Sequence, residues 1–595
     1  KIYRHMLNVK TNRLNYGKLI SPPEGFELTK AIGTTYSLDL YALLAIPVAL
    51  FYAKSMEGDF QLNRYDVLDA IRKSTEKVDI FCQRGKIKVP TNYNNLLSFM
   101  EGCIEEVHPP IVDSSFHPKL WVLRFESDDE TVYRLVVLSR NLTFDRSWDI
   151  SYFCDGTPTT QVQKQTKKIS SYLQSFYKTS GRKINQSFFT ELEKVVFDIP
   201  DGFSDFEIFP IDKFRSNDDG FDNPLENIKY KKMIVISPFL DITTLKKLKR
   251  NSRKLTVFSR KEELDKLDHN QLRGMELYCL NPLIAVGEDF LETEGMESMS
   301  QNLHAKIFIG DTGEASDWFM GSANATSPAF DRNVELLVKV HTAEKLKRLK
   351  RIKWELLHQQ GTLFGQYIPN EEVIESEEES VNRKVRELTY YLTKQSFKGL
   401  VEKNSNNENY SLKLNIDLTK VKNDAFIIET RLIHRKDEFK YLETETLNKL
   451  EFNNISIVNL SSYLIVNIRS KGELKGSVTI KMEVDIPKER EDVIFNNLIN
   501  SKVKFFEYLQ FLLSPEKLKG SLLIKDSMNQ NTDETAILQD VLGMNNSIYE
   551  SLMFAASRSP KKLIEIDRII QKLEKTDSSV LEDFMPIWTV FKEFA

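Results

Sequence analysis

The sequence predicts an α/β protein: two α/β repeats forming one pseudo-twofold unit, then a small antiparallel β domain and a helical C-terminal region. Three observations carry this expectation. Short apolar runs alternate with helical stretches over residues 30–155, and the alternation returns over 230–340, as expected of α/β layers. Each stretch ends in the same succession: a His-x-Lys strand, a variable hairpin, a turn holding an Asn, then an acidic residue. Such an internal repeat implies a duplicated architecture. From about residue 409 the apolar period becomes two, and after Pro487 it returns to helical, which separates a β domain from a helical one.

In the first repeat the apolar run Leu38–Ala53 holds Asp39 near its start and Pro47 inside. It falls short of the ~20 apolar residues of a membrane span and reads as a buried core helix. Val78–Cys82, Leu120–Phe125 and Tyr133–Leu138 read as strands, and Tyr41–Ala53 and Leu96–Val107 as helices. In the second repeat Met233–Ile236, Leu255–Phe258, Lys306–Gly310 and Val334–Val340 read as strands. Residues 160–230 between them read as a helix plus an irregular connection that includes the loop-like Ser216–Pro224. Residues 341–358 form a closing helix, Glu371–Glu379 is an acidic solvated linker, and 381–400 is helical. Ser411–Leu418, Ile455–Val458, Tyr463–Ile468 and Ser477–Ile486 make an antiparallel sandwich or partial barrel. Helices follow over 490–513, 546–574 and 580–595, with a polar loop over 515–540. The expected domains are 1–160, 161–360, 361–405, 406–488 and 489–595.

At 595 residues the chain exceeds one core. Hydrophobic content of 41% and charged content of 28% are ordinary for a folded protein. A net charge of -4 excludes a global basic signature, so contact with nucleic acid requires a local cleft. The four cysteines (Cys82, Cys103, Cys154, Cys279) lack CxxC spacing, which argues against a disulfide scaffold or zinc site and for a reducing, cytoplasmic compartment. No metal and no cofactor are expected.

The chemistry sits in the repeated motifs. In the second, His304 and Lys306 are two apart on a strand and project together. Asn324 lies in the small-residue turn Gly321–Asn324, where backbone can approach a ligand. An imidazole, an ammonium and an amide converging on one point suit a phosphate: Lys and Asn donate to its oxygens, and His attacks phosphorus or moves a proton. The first repeat offers His117, Lys119, Ser139 and Asn141, with Asp149 following. Two such sets facing each other make one pocket with two histidines.

This HxK…GSxN pair resembles the two HKD motifs of the phospholipase D superfamily. The second motif follows the pattern closely: Asp311 stands five positions after Lys306, then Gly321-Ser322-x-Asn324, then Glu335 eleven positions after Asn324. In the first, Arg124 replaces the aspartate and Ser139-Arg140-Asn141 replaces the Gly-Ser-x-Asn turn; absence of the aspartate also marks the tyrosyl-DNA phosphodiesterase branch. The resemblance covers about residues 30–340. It implies a metal-independent phosphodiesterase with a covalent phosphohistidine, His117 being the favoured nucleophile. It implies histidine-orienting roles for Glu335 and Asp149, and places Ser139, Ser322 and Asp311 with the substrate. Nucleic acid, DNA above all, is the leading substrate class; a phospholipase or phosphatidyltransferase and a silent scaffold subunit stay open. The tail from Ile548 to Phe591 resembles those of phospholipase D-like proteins in bacterial DNA-defence systems, which implies a helicase or ATPase partner. Oligomeric state is not specified, since both half-sites lie in one chain.

Weaker features remain. The basic segment Lys246–Lys254 suits a phosphate backbone or a solvated helix end. Lys347, Lys350, Arg351 and Trp354 share a helical face; Trp354 is expected in the core, with base stacking as the alternative. His5, His108, His269, His341, His358 and His434 read as bystanders, and Ser237–Asp241, after a strand, borders the pocket without an assigned role.

Overall fold

The computed structural model describes residues 16–52, 64–90, 93–143, 147–212, 223–281 except 227, 302–358, 363–369, 377–499 except 406, 407 and 424, 501–513, and parts of 552–592. Two large sheets organise the described residues up to 369. The first runs, in spatial order, Val195–Phe197, Ser151–Pro158, Thr131–Leu138, Leu120–Glu126, Glu27–Thr35, Val78–Gln83, Ile104–Val107. The second runs Asp205–Ile211, Glu335–Thr342, Ser316–Gly321, Ile307–Asp311, Tyr230–Ile236, Ser252–Ser259, Met275–Leu280, with Phe364–Gln366 added at the edge. The orders correspond strand for strand. In each sheet the central strand runs parallel to the next βαβ strand and antiparallel to the strand after the His-x-Lys motif. The duplicated architecture expected from the motif repeat is therefore present.

The sheets face each other across one shared core. Phe81, Phe116, Val122 and Leu135 of the first meet Ile234, Ile307, Trp318 and Val338 of the second. The helices Lys164–Ser180 and Leu349–His358 contribute Ile169, Tyr172, Phe176, Ile352 and Leu356 to it. Each sheet buries its other face too, which accounts for strands that are apolar almost throughout.

The helix Leu40–Tyr52 is apolar around its circumference and contains Pro47. Such a helix needs cover on all sides. The cover comes from the far end of the chain: Phe505, Phe506, Leu563, Ile570, Trp588 and Phe591 share a core with Leu43, Ile46 and Leu50. No helix among the described residues is long and apolar enough to cross a membrane.

Several expected elements differ. Leu96–Val107 is not one helix: a turn at Leu97–Met100 and a 3-10 turn lead into the edge strand Ile104–Val107. Pairing of Ile104 and Val107 with Ile80 and Gln83 overrides the local helical pattern. The 160–230 connection contains strands at Val195–Phe197 and Asp205–Ile211. The boundary expected at 405/406 falls inside a hairpin, because Phe397–Lys403 pairs with Tyr410–Asp417. Ile455 ends a strand and Ile457–Asn459 is a 3-10 turn. The 490–513 helix is two, Glu489–Leu498 and Lys502–Leu513. Most of the Ser216–Pro224 loop, most of the acidic run Glu371–Glu379 and the whole 515–540 stretch lie outside the described residues.

The β domain holds a three-stranded and a four-stranded antiparallel sheet, which close over Leu412, Leu414, Phe452, Leu464 and Val466. It leans on the first repeat. Buried Glu101 accepts from Ser461, Ser462 and Tyr93 and pairs with Arg490 at 3.0 Å, while Lys481 donates to the Ile104 carbonyl at 2.6 Å.

Candidate active site

The sheets meet through two short parallel contacts that exchange partners between repeats. Phe116 bridges Val334, with the His117 amide on the Val334 carbonyl at 2.9 Å. Leu303 pairs with Trp148, with the His304 amide on the Trp148 carbonyl at 3.0 Å. The residue after Val334 is Glu335, and the residue after Trp148 is Asp149. The backbone before each histidine is thus laid beside the backbone before the acidic residue of the opposite repeat.

The consequence is explicit at His117. Its Nδ1 lies 3.0 Å from Glu335 Oε2. Glu335 is fully buried and also accepts from Ser322 Oγ and, at 3.1 Å, from Asn333 Nδ2. A carboxylate can only accept, so Nδ1 carries the proton and Nε2 keeps its lone pair free. Burial pulls the His117 imidazole down to about 4, against the opposing pull of Glu335. The ring is therefore neutral at pH 7.

Lys119 and Lys306 are buried, and each donates to the carbonyl of its own motif's histidine, at 2.8 and 2.6 Å. Lys306 also reaches the Ser139 carbonyl of the other repeat at 3.3 Å. Burial holds Lys119 well below the ordinary lysine value and brings Lys306 to about 8. Asn141 and Asn324 occupy equivalent turns, and in both the side-chain Oδ1 is buried without a hydrogen-bond partner among the described residues. Buried amides seldom stay unmatched; each of these oxygens can accept one further hydrogen bond.

Asp149 accepts from Ser147 Oγ at 3.0 Å and lies 3.6 Å from the Arg140 guanidinium. Burial raises its carboxyl above the usual range, with Arg140 opposing.

The three residues expected to contact substrate have partners within the protein. Asp311 lies at the far end of its strand, where it pairs with Arg348 at 3.6 Å and caps Gly313. It stands five positions along the chain from Lys306, roughly 16 Å in extended backbone. Ser139 and Ser322 are fully buried pins: their Oγ atoms accept the amides of Ile150 and Leu336, each at 2.9 Å, and so fix the strand after each acidic residue. Gly321 is required because a Cβ there would collide with the Leu336 carbonyl oxygen.

The sequence reading passed over a second repeated device. The Thr35 hydroxyl donates to Ser37 O at 2.8 Å and accepts Leu142 N at 3.1 Å. The Ser237 hydroxyl donates to Phe239 O at 2.7 Å and accepts Ala325 N at 2.9 Å. Each thereby holds the residue after a site asparagine. Asp39 and Asp241 then cap the next helix. The signal was legible as the paired segments Thr35-x-x-Leu38-Asp39 and Ser237-x-x-Leu240-Asp241. Asn333 was also missed; its Oδ1 accepts Ser115 N at 2.9 Å while its amide holds Glu335.

No protein-family model matches the chain, and no curated protein matches it significantly. Among solved structures the chain is similar to a yeast tyrosyl-DNA phosphodiesterase variant, at 14% identity and a TM-score of 0.33 over 55% of this chain and 84% of that one. It is similar to a polyphosphate kinase from Porphyromonas gingivalis, at 12% identity and a TM-score of 0.31 over 62% of this chain and 49% of that one. It is also similar to a phosphatidylserine synthase from Haemophilus influenzae, at 10% identity and a TM-score of 0.31 over 62% of this chain and 93% of that one.

Other sequence features fall elsewhere. In the basic segment Lys249 donates to Gly274 O at 2.6 Å and Lys254 pairs with Glu276 at 2.6 Å. Trp354 is not in the core but 45% exposed, stacked on His358 and under Arg351. The stripe Leu349, Ile352, Leu356 faces inward instead.

Proposed function

We propose that the chain is a phosphodiesterase of the phospholipase D type acting on DNA through a covalent phosphohistidine. The observation that carries this is the exchange between repeats, in which His117 is oriented by Glu335 of the other half beside two buried lysines. The neutral His117 Nε2 attacks phosphorus, forming a P–N bond as the P–O bond to the leaving group breaks. His304 gives that oxygen its proton. His304 then takes a proton from water, the water oxygen attacks phosphorus, and the P–N bond breaks to return neutral His117. Lys119, Lys306, Asn141 and Asn324 donate to the non-bridging oxygens throughout. The lysines supply the positive charge, so the proposal requires no metal.

Ordering of Nδ1 by Glu335, with the imidazolium formed on attack stabilised by the carboxylate, repeats the logic of a hydrolytic triad. The resemblance of the Ile548–Phe591 tail alone supports work beside a helicase or ATPase in bacterial anti-phage defence. In the structure Leu563 and Trp588 of that tail pack within the chain, while Met553, Ile564 and Val590 are exposed.

Labelled single- and double-stranded DNA is incubated with the protein in EDTA, beside His117→Ala and His304→Ala variants. Multiple turnover that persists in EDTA and disappears in both variants is expected. Turnover that needs a divalent ion, or that either variant retains, contradicts the proposal.

A further inference from the structure

The turns that hold the two site asparagines also carry one aromatic ring from each repeat. Tyr36 follows the first central strand, and its ring centroid lies 5.2 Å from the His117 imidazole. Lys86 Nζ sits 5.7 Å from that ring centroid. Phe239 follows the second central strand and is 45% exposed. Arg260 lies over it at 4.9 Å and donates to the carbonyl of Leu303, the residue before His304, at 2.7 and 3.3 Å. One guanidinium thus links the ring to the residue before the second histidine. Neither ring belongs to any of the four hydrophobic cores.

Single exposed apolar residues are ordinary on protein surfaces. What sets this pair apart is recurrence. The two rings sit in related turns, Thr35–Asp39 and Ser237–Asp241, offset by one position, and each carries a cation on or beside its face. An aromatic face with an adjacent cation suits an unpaired nucleobase followed by its phosphate. A base inside a duplex is covered on both faces and cannot be splayed onto a side chain without unpairing. A phospholipid offers its phosphodiester no planar group on either side.

We propose that Tyr36 with Lys86, and Phe239 with Arg260, are base-stacking subsites on the two sides of the scissile phosphate, and that the substrate is single-stranded nucleic acid. This rests on the phosphodiesterase reading and sharpens it. The subsites divide the substrate between the repeats, one flanking nucleotide to each.

The test compares the full-length protein on four substrates: single-stranded oligodeoxythymidine, an abasic strand of equal length, a duplex, and vesicles of phosphatidylglycerol. Methyl p-nitrophenyl phosphate, which has no base, reports the bare phosphodiesterase activity. The expected wild-type preference is for oligodeoxythymidine over the abasic strand and the duplex. Phe239→Ala is expected to raise KM for oligodeoxythymidine about 5- to 150-fold and so to collapse the preference over the abasic strand; Phe239→Trp restores it. Equal cleavage of oligodeoxythymidine and the abasic strand by wild type overturns the subsites while the phosphodiesterase reading stands. Preference for the duplex or for vesicles overturns them too. Failure to turn over any of the five substrates overturns both.

Discussion

The two repeats share strand order, motif geometry and the hydroxyl that pins each asparagine turn, yet they treat their carboxylates differently. Glu335 is held by Ser322 and Asn333, pairs with no lysine or arginine among the described residues, and is joined directly to His117. Asp149 lies 3.6 Å from Arg140, which stands where the other repeat has the buried Ala323. A carboxylate committed to an imidazole orients it and stabilises its positive form; one shared with a guanidinium does so less. A duplicated site thus acquires two unlike halves. The asymmetry suits a reaction in which one histidine becomes covalent and the other only moves protons.

The comparison can be broken in several ways. The largest expected effect is loss of about 10⁴-fold in turnover for both His117→Ala and His304→Ala, measured as DNA cleavage in EDTA; a single essential histidine would dissolve the two-half account. Next, Glu335→Gln is expected to cost about 10³-fold and Asp149→Asn about 10-fold in kcat/KM. Equal losses would mean that the Arg140 difference has no consequence.

The repeats differ also in what rests on them. Glu101 of the first repeat is buried against Arg490, Ser461 and Ser462. Glu101→Ala leaves that guanidinium unpaired and should destabilise the protein by about 3–5 kcal/mol, read as a lower midpoint in urea. A midpoint unchanged from wild type would show that the C-terminal region does not lean on the first repeat.

A smaller effect is the pH profile. Burial lowers His117 to about 4, so the neutral nucleophile is lost only as pH falls through about 4. Burial lowers Lys306 to about 8, so its ammonium is lost as pH rises through about 8. In the free enzyme kcat/KM should climb through the first value and then decline as the two buried lysines, Lys119 and Lys306, lose their protons. An acid limb near the ordinary histidine value would place the titrating group elsewhere.

Much of the site was legible because its parts repeat at short range. His-x-Lys, the asparagine turns and the late acidic residues recur at similar spacing, and spacing survives in sequence. The partner exchange was not legible: Glu335 meets a histidine 218 residues away through a contact that only the packing of two sheets creates. Asp311 shows the opposite failure, since motif membership said nothing of how far a strand carries a side chain. Ile104–Val107 was misread because its edge position, not its composition, makes it a strand. Trp354 was expected inside by size; the inward stripe of Leu349, Ile352 and Leu356 passes it by.

The most direct test is to trap the covalent species. Labelled single-stranded DNA is mixed with wild type, His117→Ala and His304→Ala, quenched in base to preserve phosphohistidine, and digested for mass spectrometry. A phosphoryl adduct on His117, stronger in His304→Ala and absent from His117→Ala, is predicted. An adduct on His304, or none in any variant while wild type cleaves DNA, would contradict the account.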